Sequence, residues 1–277
     1  MTISGTLQEN ARNRCLIAAH RGAAGANIPC NSIPAYNTAL RHGADVIELD
    51  ISRAKDGALY CYHPGTEPIF LLTDRRIPDM TAKEVDELRL VNQDNTPTEW
   101  GIPRFEDVMR ELRGKCFITI DKFWTCPQEI AALVRSLGMQ DQVLIKTSNK
   151  PENFARVEEA AWDIPYMVIA RDHDTFTDEL LKRRMRYVGV EALFAQDDSP
   201  IADPAYIEQM HKRGLIMWAN GIIYNYKDVL AANHSDDISV SENEDLGWGW
   251  LLDRGFDIIQ TDWPLALDLY LRKRGLR

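Results

Sequence analysis

The chain has 277 residues, 45% apolar and 27% charged, enough material for one large folded unit. Its formal net charge of −10 excludes non-specific binding to nucleic acid, which needs a basic face, but allows a phosphate-bearing small molecule, because local charge decides that. No stretch approaches ~18 uninterrupted apolar residues, so no helix is expected to cross a membrane.

The first fifteen residues, MTISGTLQENARNRC, lack the apolar core of a secretory signal. Cysteines at 15, 30, 61, 116 and 126 are odd in number and form no CxxC pair, so free thiols in a reducing cytoplasm are expected. The first apolar run, CLIAAH (15–20), reads as a strand that ends in His20-Arg21-Gly22. A helix near 33–42 and a strand DVIELDIS (45–52) follow. Residues 53–103 fit no single element. They hold a hairpin partner, ALYCYH (58–63), a Pro-rich turn region and a short helix near 81–89, and read as an insertion after the second strand. From there helices near 104–113, 127–137, 151–161, 174–185, 203–213, 246–254 and 264–273 alternate with strands. Those strands are CFITID (116–121), QVLIKTS (142–148), YMVIAR (166–171), YVGVEALF (187–194), LIMWANG (215–221) and DIIQTD (257–262). Pro127 and Pro151 open two of the helices; Gly214 and Gly255 close two others. The acidic stretch HSDDISVSENEDL (233–245) reads as a solvated loop rather than a metal site.

Near-continuous apolar strands imply burial on both faces, as in a parallel sheet covered by helices. Eight such strand–helix units predict a (β/α)₈ barrel, with 53–103 lying over its top. An open doubly wound sheet is the alternative, but no GxGxxG follows the first strand.

In such a barrel the site lies at the C-terminal strand ends. His20 and Arg21 stand there, as do Glu48, Asp50, His63, Asp121, Lys122, Lys146, Glu191, Trp218 and Asn220, with Thr261-Asp262 closing the set. Glu48 and Asp50, two apart on a strand, face one way and repel. A divalent cation relieves that, hard oxygens select Mg²⁺ or Ca²⁺, and Asp121 can add a third carboxylate. The competing arrangement pairs Glu48 and Asp50 with Arg53 and Lys55. His20 and His63 suggest an acid/base pair, and Arg21, Lys122 and Lys146 suggest a clamp for a phosphoryl group. His42, His173, His211 and His234 fall on helices or loops and are read as surface residues. Phe123, Trp124, Trp218, Tyr224, Trp248, Trp250 and Trp263 sit near the predicted mouth, where they either stack on a sugar ring or pack the rim.

These residues match a known pattern. The segments "HRG" (20–22), "ADVIELDISRAKDGALYCYH" (44–63), "IPRFEDVM" (102–109), "ITIDK" (118–122) and "GFDIIQTDWP" (255–264) resemble the glycerophosphodiester phosphodiesterase family over nearly the whole length. The resemblance implies a barrel that hydrolyses small phosphodiesters with Mg²⁺ or Ca²⁺. It assigns His20 and His63 as the acid/base histidines, Arg21 and Lys122 as phosphate contacts, and Glu48, Asp50 and Asp121 as metal ligands. Two departures stand out. Pro29-Cys30-Asn31-Ser32 replaces the family's Pro-Glu-Asn-Thr, whose glutamate is a ligand, and Pro64 replaces the aspartate that commonly follows the histidine. A sugar phosphodiester or a lysophospholipid is an alternative substrate, and a non-catalytic binding homologue is a third reading.

Overall fold

A computed structural model describes residues 4–224 and 228–277. The strands are β1 (Leu16–His20), β2 (Val46–Arg53), β3 (Leu59–Cys61), β4 (Phe117–Asp121), β5 (Val143–Ser148), β6 (Pro165–Arg171), β7 (Arg186–Leu193), β8 (Ile216–Asn220) and β9 (Ile258–Thr261). Eight of them are parallel neighbours in the order β1-β9-β8-β7-β6-β5-β4-β2, and pairing of β1 with β2 closes the ring. That closure replaces the open-sheet alternative with the (β/α)₈ barrel. β3 stands outside the ring, antiparallel to β2.

The side-chain period of two divides each strand between two cores. Outward residues such as Ile17, Ile47, Ile118 and Ile145 pack under the helices. Inward residues fill the barrel in layers. Near the N-terminal strand ends, Leu16, Val46, Phe117, Leu144, Met167, Val188, Ile216, Trp218 and Ile258 form a plug. A helix over Leu7–Asn13 seals it with Leu7 and Ala11. This helix went unforeseen, although Thr6 and Glu9 form the capping box that marks its start. Burying one such apolar side chain contributes roughly 1.5–3 kcal/mol. Gly189 on β7 has no room for a side chain, since a Cβ would stand 2.0 Å from the Ile216 carbonyl oxygen.

Two expectations fail here. The helix near 174–185 shrinks to Thr177–Leu180, because the basic run that follows, 182–186, offers only Met185 to an apolar face. The stretch 233–245 is not simply solvated. A helix runs over Asp236–Ser241, Asp236 is 3% exposed, and His234 stacks on Trp250 with ring centroids 3.8 Å apart.

The segment between β2 and β4 carries its own apolar cluster, including Tyr60, Tyr62, Leu71, Ile77, Met80, Val85 and Ile102. Helices over Glu67–Phe70 and Ala82–Asp86 frame it. It follows the C-terminal end of β2 and so brings His63 to that end of the barrel.

Candidate active site

The register fixes the first layer of the site. Glu48 lies beside Thr119 and Asp50 beside Asp121, while His20 lies beside Glu48. All of them point inward at the C-terminal strand ends. One cleft of about 280 Å³ is lined by His20, Arg21, Glu48, Asp50, His63, Asp121, Lys122, Lys146, Glu191 and Asn220, together with Tyr224, Asp228 and Gln260. Ten of the thirteen strand-end residues singled out above therefore meet. Thr261, Asp262 and Trp218 do not line the cleft. The Trp218 ring is fully buried in the plug, one layer below the cleft, with the Lys146 ammonium 4.6 Å from its centroid. Phe123 and Trp248 are likewise packed inside, leaving Tyr224 as the aromatic of that group in the cleft.

Oxygens of Glu48, Asp50 and Asp121 all come within 4.8 Å of one another. Glu48 and Asp50 are 3% and 1% exposed. Burial first, and the Asp50 charge second, push the Glu48 carboxyl well above its usual range. Burial also works against the Asp50 charge, but the Arg21 guanidinium and Lys122 ammonium outweigh it and hold that carboxyl low. Arg21 Nε is 2.9 Å from Asp50 Oδ2, and Lys122 Nζ is 3.3 Å from Asp50 Oδ1. The competing arrangement with Arg53 fails, because Arg53 turns away to Glu129 at 3.1 Å. A like-charged, oxygen-only set buried at this depth fits a hard divalent cation.

The histidines occupy opposite settings. His20 Nδ1 donates to Asp262 Oδ1 at 2.9 Å, which leaves Nε2 for the cleft. Burial opposes charging of this ring, but Asp262 and the Glu48 charge prevail and raise its pKa. His63 Nε2 accepts from Lys122 Nζ at 2.6 Å. Burial, with the charges of Arg21 and Lys122, outweighs Asp50 and lowers its pKa. Lys146 is 2% exposed; burial disfavours its charge, but Glu191 at 2.7 Å keeps it protonated.

Three of the strained loop positions belong to residues that touch Asp50. Arg21 (φ 54°), Asn31 (φ 53°) and Lys122 (φ 54°) are non-glycine residues in the left-handed region. The chain at Arg21 is held there by its own N–H on Glu48 Oε2 at 3.0 Å and by its carbonyl accepting from Asn31 N–H at 2.9 Å. Gly22, at φ 85°, lets this turn press on the helix Ile33–Arg41, where a Cβ would come 2.7 Å from the Ala35 carbonyl carbon.

Several working residues escaped the sequence reading. Asn31 donates to Asp50 Oδ2 at 3.1 Å and accepts from the Tyr36 hydroxyl at 3.0 Å. Asp262, named above as the end of the last strand, accepts from His20 Nδ1, a pairing the sequence did not announce. Asp236 accepts from the Asp262 N–H (2.7 Å), the Thr261 hydroxyl (2.8 Å) and Trp248 Nε1 (2.7 Å), and burial pushes its carboxyl up to about 7. Gln260 was detectable, since it follows Ile258 by two along a strand. Cys30 stands outside the carboxylate group. It lines a small separate pocket with Arg21, Tyr62, His63, Thr66 and Phe70, and burial pushes its thiol up to about 11.

Comparison with known proteins bears on the fold and the family. The uncharacterized protein YqiK of Bacillus subtilis is 26% identical over 151 residues, covering 48% of this chain and 58% of YqiK. A glycerophosphodiester phosphodiesterase of Caldanaerobacter subterraneus subsp. tengcongensis is 37% identical over 75 residues, 27% of this chain and 30% of its own. The chain thus spans less than two thirds of the length of either relative. Among solved structures, a glycerophosphoryl diester phosphodiesterase from Parabacteroides distasonis superposes with a TM-score of 0.76 at 19% identity, over 99% of this chain and 94% of its own. A phosphodiesterase from Oleispira antarctica, solved with the product sn-glycerol-3-phosphate, gives 0.68 at 16% identity, over 94% and 99%. At such identities these two speak for the fold alone. The sequence pattern of one family matches residues 20–265, from the first histidine of the cleft to the helix that follows Asp262, and by it the chain belongs to the glycerophosphoryl diester phosphodiesterase family.

Proposed function

We propose that this protein hydrolyses small phosphodiesters of the glycerophosphodiester type to an alcohol and a phosphomonoester, with a divalent cation, Mg²⁺ or Ca²⁺, held by Glu48, Asp50 and Asp121. The observation that carries this reading is the meeting of three carboxylates and two oppositely tuned histidines in one cleft. The Oleispira antarctica phosphodiesterase, of the same fold, was solved with a glycerol phosphate product, which supports the substrate class. A cation bound there supplies positive charge against the phosphodiester and the negative charge that grows on its oxygens.

The protein's own groups then divide the work. Arg21 and Lys122 hold the non-bridging oxygens. His63 is the neutral ring; when Lys122 turns from it to the phosphate oxygens, its freed Nε2 takes the proton of the substrate hydroxyl next to the phosphate. That oxygen attacks phosphorus and the bond to the leaving alkoxide breaks. His20, charged and aimed by Asp262, gives its Nε2 proton to the alkoxide. A cyclic diester and a free alcohol result. In the second half His20 takes a proton from water, the hydroxide opens the ring, and His63 returns its proton to the ring oxygen. Charge placement and positioning supply most of the acceleration.

A lysophospholipid remains the second reading, because an apolar groove lies beside Asp262. Trp263, Leu265 and Leu269 line it at 51%, 44% and 58% exposure, with Ile28 opposite. The five free cysteines support a cytoplasmic setting. The deciding assay offers the purified protein glycerophospho-alcohols, a sugar phosphodiester and a lysophospholipid, with Mg²⁺, with Ca²⁺ and with chelator. Turnover of the glycerophospho-alcohols that chelator abolishes is expected. No turnover of any diester with either ion overturns the reading.

A further inference from the structure

Two walls of the cleft run on beyond it. β1 and β9 are paired neighbours in the barrel. β1 brings His20 and Arg21 to the cleft, and its loop reaches Ala23, Ala24 and Ile28 a few residues on. β9 gives Gln260 to the cleft, and the chain then passes through Asp262 to Trp263, Leu265 and Leu269 at the start of the last helix, Pro264–Lys273. Between these two extensions lies a groove of about 470 Å³, an ordinary size for a small-molecule site. Asp262 stands where groove and cleft meet. Its Oδ1 accepts from His20 Nδ1 at 2.9 Å, and its side chain is half exposed.

The groove is preformed. Gly25 and Ile28 exchange backbone hydrogen bonds at 3.0 and 2.9 Å, which fixes the loop wall. The opposite wall presents Leu265 and Leu269, one helical turn apart, with Trp263 before them, all exposed. Apolar side chains gathered beside a cleft, rather than scattered singly, mark a surface that a ligand covers.

The place of the groove says what covers it. In the reading given above His20 protonates the departing alkoxide, so a groove that begins at Asp262 lies on the leaving-alcohol side of phosphorus. A cationic alcohol finds one carboxylate in the described lining, Asp262, and His20 already engages it. A hydrocarbon tail meets apolar surface on both walls. A lysophospholipid carries its chain on the other arm, the glycerol that bears the attacking hydroxyl and lies towards His63. We infer that the groove holds the hydrocarbon tail of the leaving alcohol, so that the preferred substrate is a glycerol phosphodiester of a long-chain alcohol. This rests on the phosphodiesterase reading and on His20 as the acid within it.

The test measures kcat/KM of the full chain with Mg²⁺ on four diesters, each below its micelle concentration: glycerophosphoethanol, glycerophospho-octanol, glycerophosphocholine and a lysophosphatidylcholine. The octyl ester is expected to exceed the ethyl ester at least tenfold, mainly through KM. Leu265→Ser combined with Leu269→Ser is expected to remove about tenfold of that advantage while the ethyl ester turns over as before. Ala24→Trp, which narrows the groove from the loop wall, is expected to do the same. All three side chains are exposed, and thermal melts establish that the variants fold; Ala24→Trp decides the matter if the serine pair does not fold. Equal values for the octyl and ethyl esters, a higher value for the choline ester or the lysophospholipid than for the octyl ester, or an undiminished octyl advantage in a folded variant overturns the inference. A dimer in sedimentation that the serine pair dissociates gives the groove to a second copy of the chain and overturns it as well. Turnover of none of the four strikes the phosphodiesterase reading itself, and the groove's role falls with it.

Discussion

The two ends of the barrel handle charge in opposite ways. At the N-terminal end each acid has cationic company. Asp45 accepts from Arg14 and Arg277, both at 2.6 Å, and from the Ile17 N–H at 2.9 Å. Asp268 meets Arg277 and Arg272, each at 2.7 Å, and Asp257 meets His211 at 2.9 Å. At the C-terminal end Glu48, Asp50 and Asp121 crowd together; Arg21 and Lys122 serve Asp50, Lys122 stands 3.6 Å from Asp121, and the hydrogen bond that Glu48 accepts among the described residues comes from the Arg21 backbone N–H. The first end is arranged for stability. The second leaves one carboxylate, Glu48, buried without a cationic partner within ion-pair distance among the described residues, an arrangement that a bound cation would relieve.

Substitutions at each end sharpen this contrast. His20→Ala or His63→Ala is expected to lower kcat by about 10³-fold with little change in Tm, since general acid–base help contributes on the order of 10²–10⁴; full activity in either variant refutes the assignment. At the other end Asp45→Ala takes from Arg277, whose side chain is 4% exposed, one of its two carboxylates, leaving Asp268, and should destabilise the fold by about 2 kcal/mol. An unchanged Tm breaks the comparison from that side. Glu48→Gln should do the reverse, raising the Tm of the metal-free protein by about 1 kcal/mol equivalent while removing the further rise that Mg²⁺ produces. A fall in Tm would show that Glu48 is structurally satisfied after all. Asp236→Asn weakens the grip on the Asp262 N–H, and kcat is expected to drop about tenfold with KM little altered; a pure Tm effect leaves Asp236 structural only.

The smallest expected effect is a pH dependence. Asp257 raises the His211 pKa through its hydrogen bond. The folded state thus binds the proton more tightly than the unfolded chain does. Its stabilisation is complete below the unfolded value, about 6.5, and fades as pH rises through the higher folded one. His211→Gln should remove this slope from the Tm–pH curve; the same slope in both proteins sinks it.

The barrel was legible in the sequence because its strands are short, apolar and evenly interrupted, which local pattern records well. Depth was not. Trp218 and Asn220 share a face by period, yet one lies in the plug and the other in the cleft, and only the stagger of neighbouring strands decides which. Asp236 was hidden for a different reason. Its donors come from Trp248, Thr261 and Asp262, twelve or more residues away, and nothing in an acidic loop announces them. His20 and Asp121 were readable because they end strands, and Glu48 and Asp50 because they are charged residues two apart in an otherwise apolar strand, where such residues have few structural uses.

The left-handed backbone at Arg21 and Lys122 has a consequence for how this protein would evolve in the laboratory. A side chain in that conformation costs about 1–2 kcal/mol that glycine does not incur. Glycine at position 21 or 122 would relieve that cost, but it would also take from the buried Asp50 one of the two cations that hold its charge. Under selection for heat resistance alone, both positions should therefore keep their strained side chains for as long as Asp50 stays ionised. Exchange of Asp50 for a neutral residue should come first, and glycine at 21 and 122 only after it.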